Sequence, residues 1–374
     1  MEAINGTLKG KREKSKGRKS AALLSVAEAT PTFPFSLYTS HFPRTRPLLT
    51  ERPARLAFDY APDNSTPVRP SSSTITASAD LAIPTVAASS RVADFKELLK
   101  PGISAFVVVT GIAGYLLGAP AGIDWLVLLG LIAGTALTAG GSGALNHVVE
   151  WRHDAKMERT KDRPIPTGRI TAGVGLAYGL TLLGVGLVVL AATTNLLTVI
   201  LALTTAVLYI AVYTPLKRVT AHNTFVGAIP GALPILGGYT AATGTFGPIG
   251  WVVFAILFLW QLPHFYALAW KYRDDYAAGG FVMLPNVDPT GKSTGRNAVI
   301  ASLLLLVAGM LPTALGAAGW VYLVGMMGIG TAFTIPAFSF LARPTNARAR
   351  RLMLISLLYV PMFFALVVID FLLR

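Results

Sequence analysis

A chain of 374 residues with 53% hydrophobic and only 13% charged residues is too apolar for an ordinary water-soluble domain. Its formal net charge of +14 could suggest nucleic acid, but in so apolar a chain basic cytoplasmic loops account for it, and no nucleic-acid partner is expected. The absence of cysteine excludes disulfides, thiolate metal sites and a cysteine nucleophile, so any metal must be held by oxygen or imidazole.

Residues 1–94 read as a disordered, basic and Ser/Pro-rich cytoplasmic tail. Lys9 to Lys19 is a basic run, and the following stretch, rich in Ser, Thr, Pro and Ala, has no sustained periodicity with which to bury apolar area. A targeting peptide fits poorly, because no clean apolar core with a cleavage site follows and Glu2 and Glu13 come early. Weak attraction to anionic lipid suits such a run.

From Phe95 the pattern changes to nine apolar spans, at about 103–121, 125–146, 171–193, 195–214, 223–243, 248–270, 297–318, 320–341 and 352–373. Each is near the ~20 residues that a bilayer crossing needs. Residues 95–374 are therefore expected to form one all-α, polytopic membrane domain of nine transmembrane helices. The connections after the second, fourth, sixth and eighth spans carry Lys and Arg; those after the first, third, fifth and seventh carry none. Basic loops stay in the cytoplasm, or in the matrix of a mitochondrion, so the N-terminus and all the polar chemistry belong on the inner side.

Three inner-side stretches stand out. In NHVVEWRHDAKMERTKDRPIPTGRI, Asn146 to Ile170, the residues Asn146, Glu150 and Asp154 are spaced four and four. A helix drifts about 40° and rises about 6 Å over four residues, so the three share one face. Two acids and an amide at the end of a membrane helix call for neutralisation. Mg²⁺ suits them, since it takes hard oxygen ligands and bridges carboxylates to phosphates. Lys156, Arg159, Lys161 and Arg163 follow as a cationic fork. A solvated helix end with ordinary ion pairs is the plainer reading of the same residues.

The second stretch, YTPLKRVTAHN, places Lys217 and Arg218 where they serve either as a diphosphate grip or as a positive-inside anchor. The third, LPHFYALAWKYRDDYAAGGFVMLP, puts Asp274 and Asp275 at the inner mouth of the sixth span. Acidic sites on two helices suggest cations clamping one diphosphate, as ionisation of an allylic C–O bond requires. His264 reads equally as a porphyrin-seating group and as polar packing near Pro263. His147 and His153 flank the metal face, as supports for it or as lipid-interface groups, and His222 reads as a loop residue. Tyr213, Tyr272 and Tyr276 serve either to orient substrate or as interface tyrosines.

These motifs resemble the UbiA-type intramembrane prenyltransferases, and within them the heme-farnesylating branch, from about Phe95 to the C-terminus. FKELLKPGISAFVVVTGIAGYLLG is similar to that branch's first helix, and the Asn146 stretch to its first signature. YTPLKRVTAHNTFVGAIPGALPILGGYTAATG is similar to its central loop and fifth helix, and LWQLPHFYALAWKYRDDYAAGGFVMLPNV to the segment separating it from quinone prenyltransferases. The resemblance implies a nine-helix fold that moves a farnesyl group from farnesyl diphosphate to a vinyl group of heme b. Heme is then a substrate, and heme A synthase or a terminal oxidase a downstream partner. It implies Mg²⁺ on Asn146, Glu150, Asp154, Asp274 and Asp275, with catalysis resting on Asn146, Glu150, Asp154 and Asp275. It implies diphosphate contacts from Arg159, Arg163, Lys217, Arg218 and Lys271, and a heme contact from His264. Two departures stand out: Glu150 replaces the more usual Asp, and Lys271 occupies the i−4 position of the broad superfamily's Asp-x-x-x-Asp motif. The expected setting is the bacterial inner (plasma) membrane, with the mitochondrial inner membrane as alternative. A quinone-directed prenyltransferase, an ion-coupled transporter and a heme-carrying assembly factor are the competing readings.

Overall fold

The computed structural model describes residues 91–119 and 122–373, so residues 1–90 of the tail expected over 1–94 lie outside the described residues. Helix α1 (Arg91–Leu98) already begins within the stretch expected to be tail. Its Asp94 is buried and accepts a hydrogen bond from Arg169 Nε at 2.9 Å, which anchors α1.

Among the described residues nine helices are long and apolar enough to cross a membrane. They are α2 (Pro101–Gly118), α3 (Trp125–Asp154), α4 (Ala172–Thr193), α5 (Leu196–Leu216), α6 (Asn223–Thr243) and α7 (Pro248–Lys271), then, after two short helices, α10 (Lys292–Ala314), α11 (Trp320–Ala342) and α12 (Asn346–Leu373). The short helices are α8 (Arg273–Ala278) and α9 (Leu284–Val287). Large apolar side chains such as Leu126, Val188, Val324 and Leu358 point outward, while Trp260, Tyr322, Phe333 and Phe363 fill the interior. That is the inside-and-outside apolar character of a bundle solvated by lipid.

Small residues set the closest contacts. A Cβ on Gly238 would stand 1.8 Å from the Gly111 carbonyl oxygen, so α6 and α2 pack backbone to backbone. The pairing of α3 with α4 is similar, since a Cβ on Gly141 would lie 2.7 Å from the Gly179 carbonyl.

Two helices shape the inner end of the bundle. The apolar span ends near residue 146, and the helix α3 runs on unbroken to Asp154, as the shared face of Asn146, Glu150 and Asp154 requires; it is 30 residues in all and capped at its start by the Asp124 carboxylate. At 1.5 Å per residue that is about 45 Å, longer than the ~30 Å hydrocarbon core, so its last turns are free to carry polar groups. In α5, Leu208–Tyr213 is π-helical, and Thr214 Oγ1 donates to the Tyr209 carbonyl at 2.7 Å. This widened turn aims Tyr209, Tyr213 and Thr214 at the end of α3.

Candidate active site

The last turns of α3 bury Asn146, Glu150 and Asp154 on one face, at 0%, 7% and 1% exposure. So deep a burial excludes the solvated helix end, and each polar group is met from a different segment. The Asn146 Oδ1 accepts from Lys100 Nζ, and its amide nitrogen donates to Thr214 Oγ1 at 3.0 Å. Lys217 Nζ lies 2.8 Å from Glu150 Oε1, and Arg163 Nη1 lies 2.7 Å from Asp154 Oδ2. Two cations thus pair with the two carboxylates, and Lys100 adds a positive charge beyond that balance when it is protonated, in a water-poor place. Such a cluster is poised to receive a polyanion.

The lysines feel this differently. Burial, reinforced by Arg163 and Lys217 against the pull of Glu150, lowers the Lys100 ammonium to about 7. Burial also works against the Lys217 ammonium, but Tyr213 and Glu150 outweigh it and hold that lysine well above the usual value. The Lys217 ammonium lies 4.6 Å from the centroid of the Tyr213 ring. This tyrosine's place is therefore at the site, not in an interfacial belt.

The second acidic segment is brought to the same end of the bundle. Asp275 Oδ1 accepts from the Glu158 N–H at 2.7 Å, and its Oδ2 lies 3.9 Å from Arg159 Nε. Asp274 points elsewhere, with a side chain 92% exposed and 3.8 Å from its neighbour Arg273, so the structure does not join it to the cluster. Lys271 and Arg159 lie over the ring of Tyr272, at 4.6 and 5.5 Å.

His153 joins the two segments. Its Nδ1 lies 2.9 Å from the Gly279 carbonyl, which can only accept, so Nδ1 carries the proton and Nε2 accepts from Arg218 Nη1 at 3.1 Å. Arg218 is thereby tied to the end of α3. The loop after α5 is stitched to the loop after α8 by Val282 N to the Lys217 carbonyl and Asn223 Nδ2 to the Val282 carbonyl, both 2.7 Å.

His264 lies seven residues before the end of α7, about 10 Å along the helix. Ser356 Oγ donates to the Met353 carbonyl at 2.6 Å, so at 2.7 Å it accepts from His264 Nδ1, and Nε2 keeps its lone pair. The imidazole stacks on Trp260 at 5.5 Å, and Trp260 on Phe106 at 5.1 Å, which makes a flat aromatic wall. His222 is a loop residue at the start of α6, as expected. Sequence reasoning missed Lys100 and Thr214: a lone lysine before Pro101 looks like any inner-side anchor, and nothing local marks a threonine beside a π-helical turn.

Among the described residues no three His, Asp or Glu side chains converge on a point. The oxygen donors still suit a hard cation. Asn146, Glu150 and Asp154 follow one another by a turn, and Asp154 Oδ1 is buried without a partner. Mg²⁺ needs only one or two carboxylates when phosphate completes its shell.

A bundle of membrane-length helices with a buried acidic face ringed by cations at one end fits the class of membrane enzymes that handle a polyanionic substrate. Solved structures agree in fold: digeranylgeranylglyceryl phosphate synthase in membranes (TM-score 0.64, 18% identity, 76% of this chain and 99% of that one) and a UbiA homologue from Archaeoglobus fulgidus bound to DMAPP and Mg²⁺ (TM-score 0.57, 17% identity, 74% and 99%). The model of the UbiA prenyltransferase family matches residues 107–367, and the chain belongs to that family. It is 47% identical over 277 residues to the protoheme IX farnesyltransferase of Salinibacter ruber, covering 74% of this chain and 98% of that protein. To the protein of the same name from Solibacter usitatus it is 42% identical over 286 residues, covering 74% and 98%.

Proposed function

We propose that this chain transfers a farnesyl group from farnesyl diphosphate to a vinyl group of heme b, with addition of water, to make heme O for a terminal oxidase. What carries the reading is 47% identity to a protoheme IX farnesyltransferase over nearly that protein's whole length. Residues 91–373 supply the catalytic domain, a multi-pass membrane unit, and the basic loops support a cytoplasmic site in a bacterial inner membrane.

Arg159, Arg163, Lys217 and Arg218, with Lys100 beside them, grip the diphosphate oxygens through charge-assisted hydrogen bonds. They draw off negative charge as the allylic C–O bond breaks and its electron pair leaves with the diphosphate. Asn146, Glu150 and Asp154, with Asp275 opposite, would hold Mg²⁺, which supplies Lewis-acid neutralisation of the leaving group. The apolar interior keeps water from the farnesyl cation until the vinyl carbon attacks it and forms the new C–C bond. Water then adds at the porphyrin-side cation and loses a proton, leaving a hydroxyethylfarnesyl substituent. His264 Nε2, on its aromatic wall, is the group assigned to the heme iron. Asp274 has no part in this scheme.

Incubation of membranes carrying the protein with heme b, Mg²⁺ and isoprenyl diphosphates of several lengths tests the reading. The expected product is heme b heavier by one farnesyl group and one hydroxyl. A prenylated aromatic ring from added quinone precursors, with heme unchanged, would overturn it.

A further inference from the structure

Beside the acidic face lies a cavity of about 280 Å³ that shares Lys100 and Arg163 with the diphosphate grip and is also lined by His147, which the reaction outlined above leaves unused. Lys100, Gly102, His147, Arg163 and Glu97 line it at the first turn of α2. His147, the residue after Asn146, is completely buried, and neither of its ring nitrogens has a hydrogen-bond partner. An idle buried imidazole is costly, and a ligand's hydrogen bond would offset that cost.

The remaining walls favour an anion. Lys100 donates to Asn146 and to the Tyr209 hydroxyl, and Arg163 gives one donor to Asp154; an ammonium has three donors and a guanidinium five, so one is left on Lys100 and several on Arg163. The 18-residue α2 adds the positive end of its dipole. Glu97, the acidic residue of the lining, is exposed at the mouth, where solvent screens it. Gly102 is also exposed, and a Cβ there would meet nothing within 4 Å, so the mouth is open. The volume falls short of the ~300–1,000 Å³ of pockets that enclose whole drug-sized ligands, so it suits one charged group.

We propose that this cavity is an oxyanion subsite, adjoining the diphosphate grip, in which His147, Lys100 and Arg163 hold a carboxylate or phosphate group. The inference rests on the prenyl-transfer reading, which supplies two sources of that chemistry: a propionate of the porphyrin and the diphosphate set free. The test uses the full chain in lipid nanodiscs as wild type, His147→Leu and Gly102→Glu. The second variant places a carboxylate at the mouth from an exposed position, so it decides the matter if the first fails to fold. Three constants are measured: binding of heme b, binding of its dimethyl ester, and binding of inorganic diphosphate.

If the occupant is a propionate, the wild type binds the ester about tenfold more weakly than heme b and both variants erase the difference. If it is the released diphosphate, its dissociation constant rises about tenfold in both variants while heme and ester bind alike. Either result supports the subsite. All three constants within about twofold of wild type in every folded variant would overturn it. Farnesyl transfer by the wild type is followed alongside. Transfer with unmoved constants sinks the subsite alone, whereas no transfer sinks the reaction reading, and the binding constants still judge the subsite.

Discussion

The two acidic segments at the inner end of the bundle contain the same residue types and are held in contrasting ways. Glu150 and Asp154 stand on the last turns of a 30-residue helix, buried, each with its own cation. Asp274 and Asp275 stand on the six-residue α8; one is 92% exposed and the other 17%. The long helix fixes its oxygens in place before any substrate arrives, and stabilisation of developing charge depends on that preorganisation. The short helix holds its one useful carboxylate through a loop N–H and a long ion pair. Catalytic weight should therefore fall mainly on α3.

The largest effect is expected at Asp154. Asp154→Ala should lower heme farnesylation at least ~100-fold, followed by product mass, and turnover within a few-fold of wild type would reverse the ranking. Because the substitution also strands buried Arg163, Asp154→Asn serves as the better-folded companion. Next comes Lys217→Met, expected to cost ~10–100-fold in kcat/KM for farnesyl diphosphate. Adding Glu150→Gln should restore thermal stability lost to the unpaired acid without restoring activity, so recovery of activity would make Lys217 a structural counter-ion only.

Asp275→Asn keeps the shape and weakens the bonds to Glu158 N and Arg159; a fall of about tenfold in kcat is expected. Smallest is Asp274→Asn, expected to change turnover by less than about twofold and stability by less than ~0.5 kcal/mol, judged by steady-state rate and melting in detergent. A large loss there would restore Asp274 to the metal set.

The fold was legible because its signals repeat. Apolar runs of membrane length and the alternation of basic and neutral connections leave little freedom in counting spans. The Asn146–Glu150–Asp154 face was legible for the same reason, since four-residue spacing defines a face without any knowledge of neighbours. Partners that cross between segments were not legible. Lys100 reaches Asn146 across 46 positions and Lys217 reaches Glu150 across 67, and such pairings depend on how the helices pack. His153 was read as flanking the face, whereas its imidazole links Gly279 to Arg218. Asp274 stands apart for a local reason: adjacent residues on a helix point about 100° apart, and only Asp275 meets the loop that carries Glu158.

The most direct measurement is the Mg²⁺ dependence of farnesyl diphosphate binding to the purified chain, for wild type and Asp154→Asn. The account predicts that Mg²⁺ tightens wild-type binding by about 100-fold or more and that the variant loses most of that gain. Equal tightening by Mg²⁺ in both proteins would contradict a metal held on the α3 face.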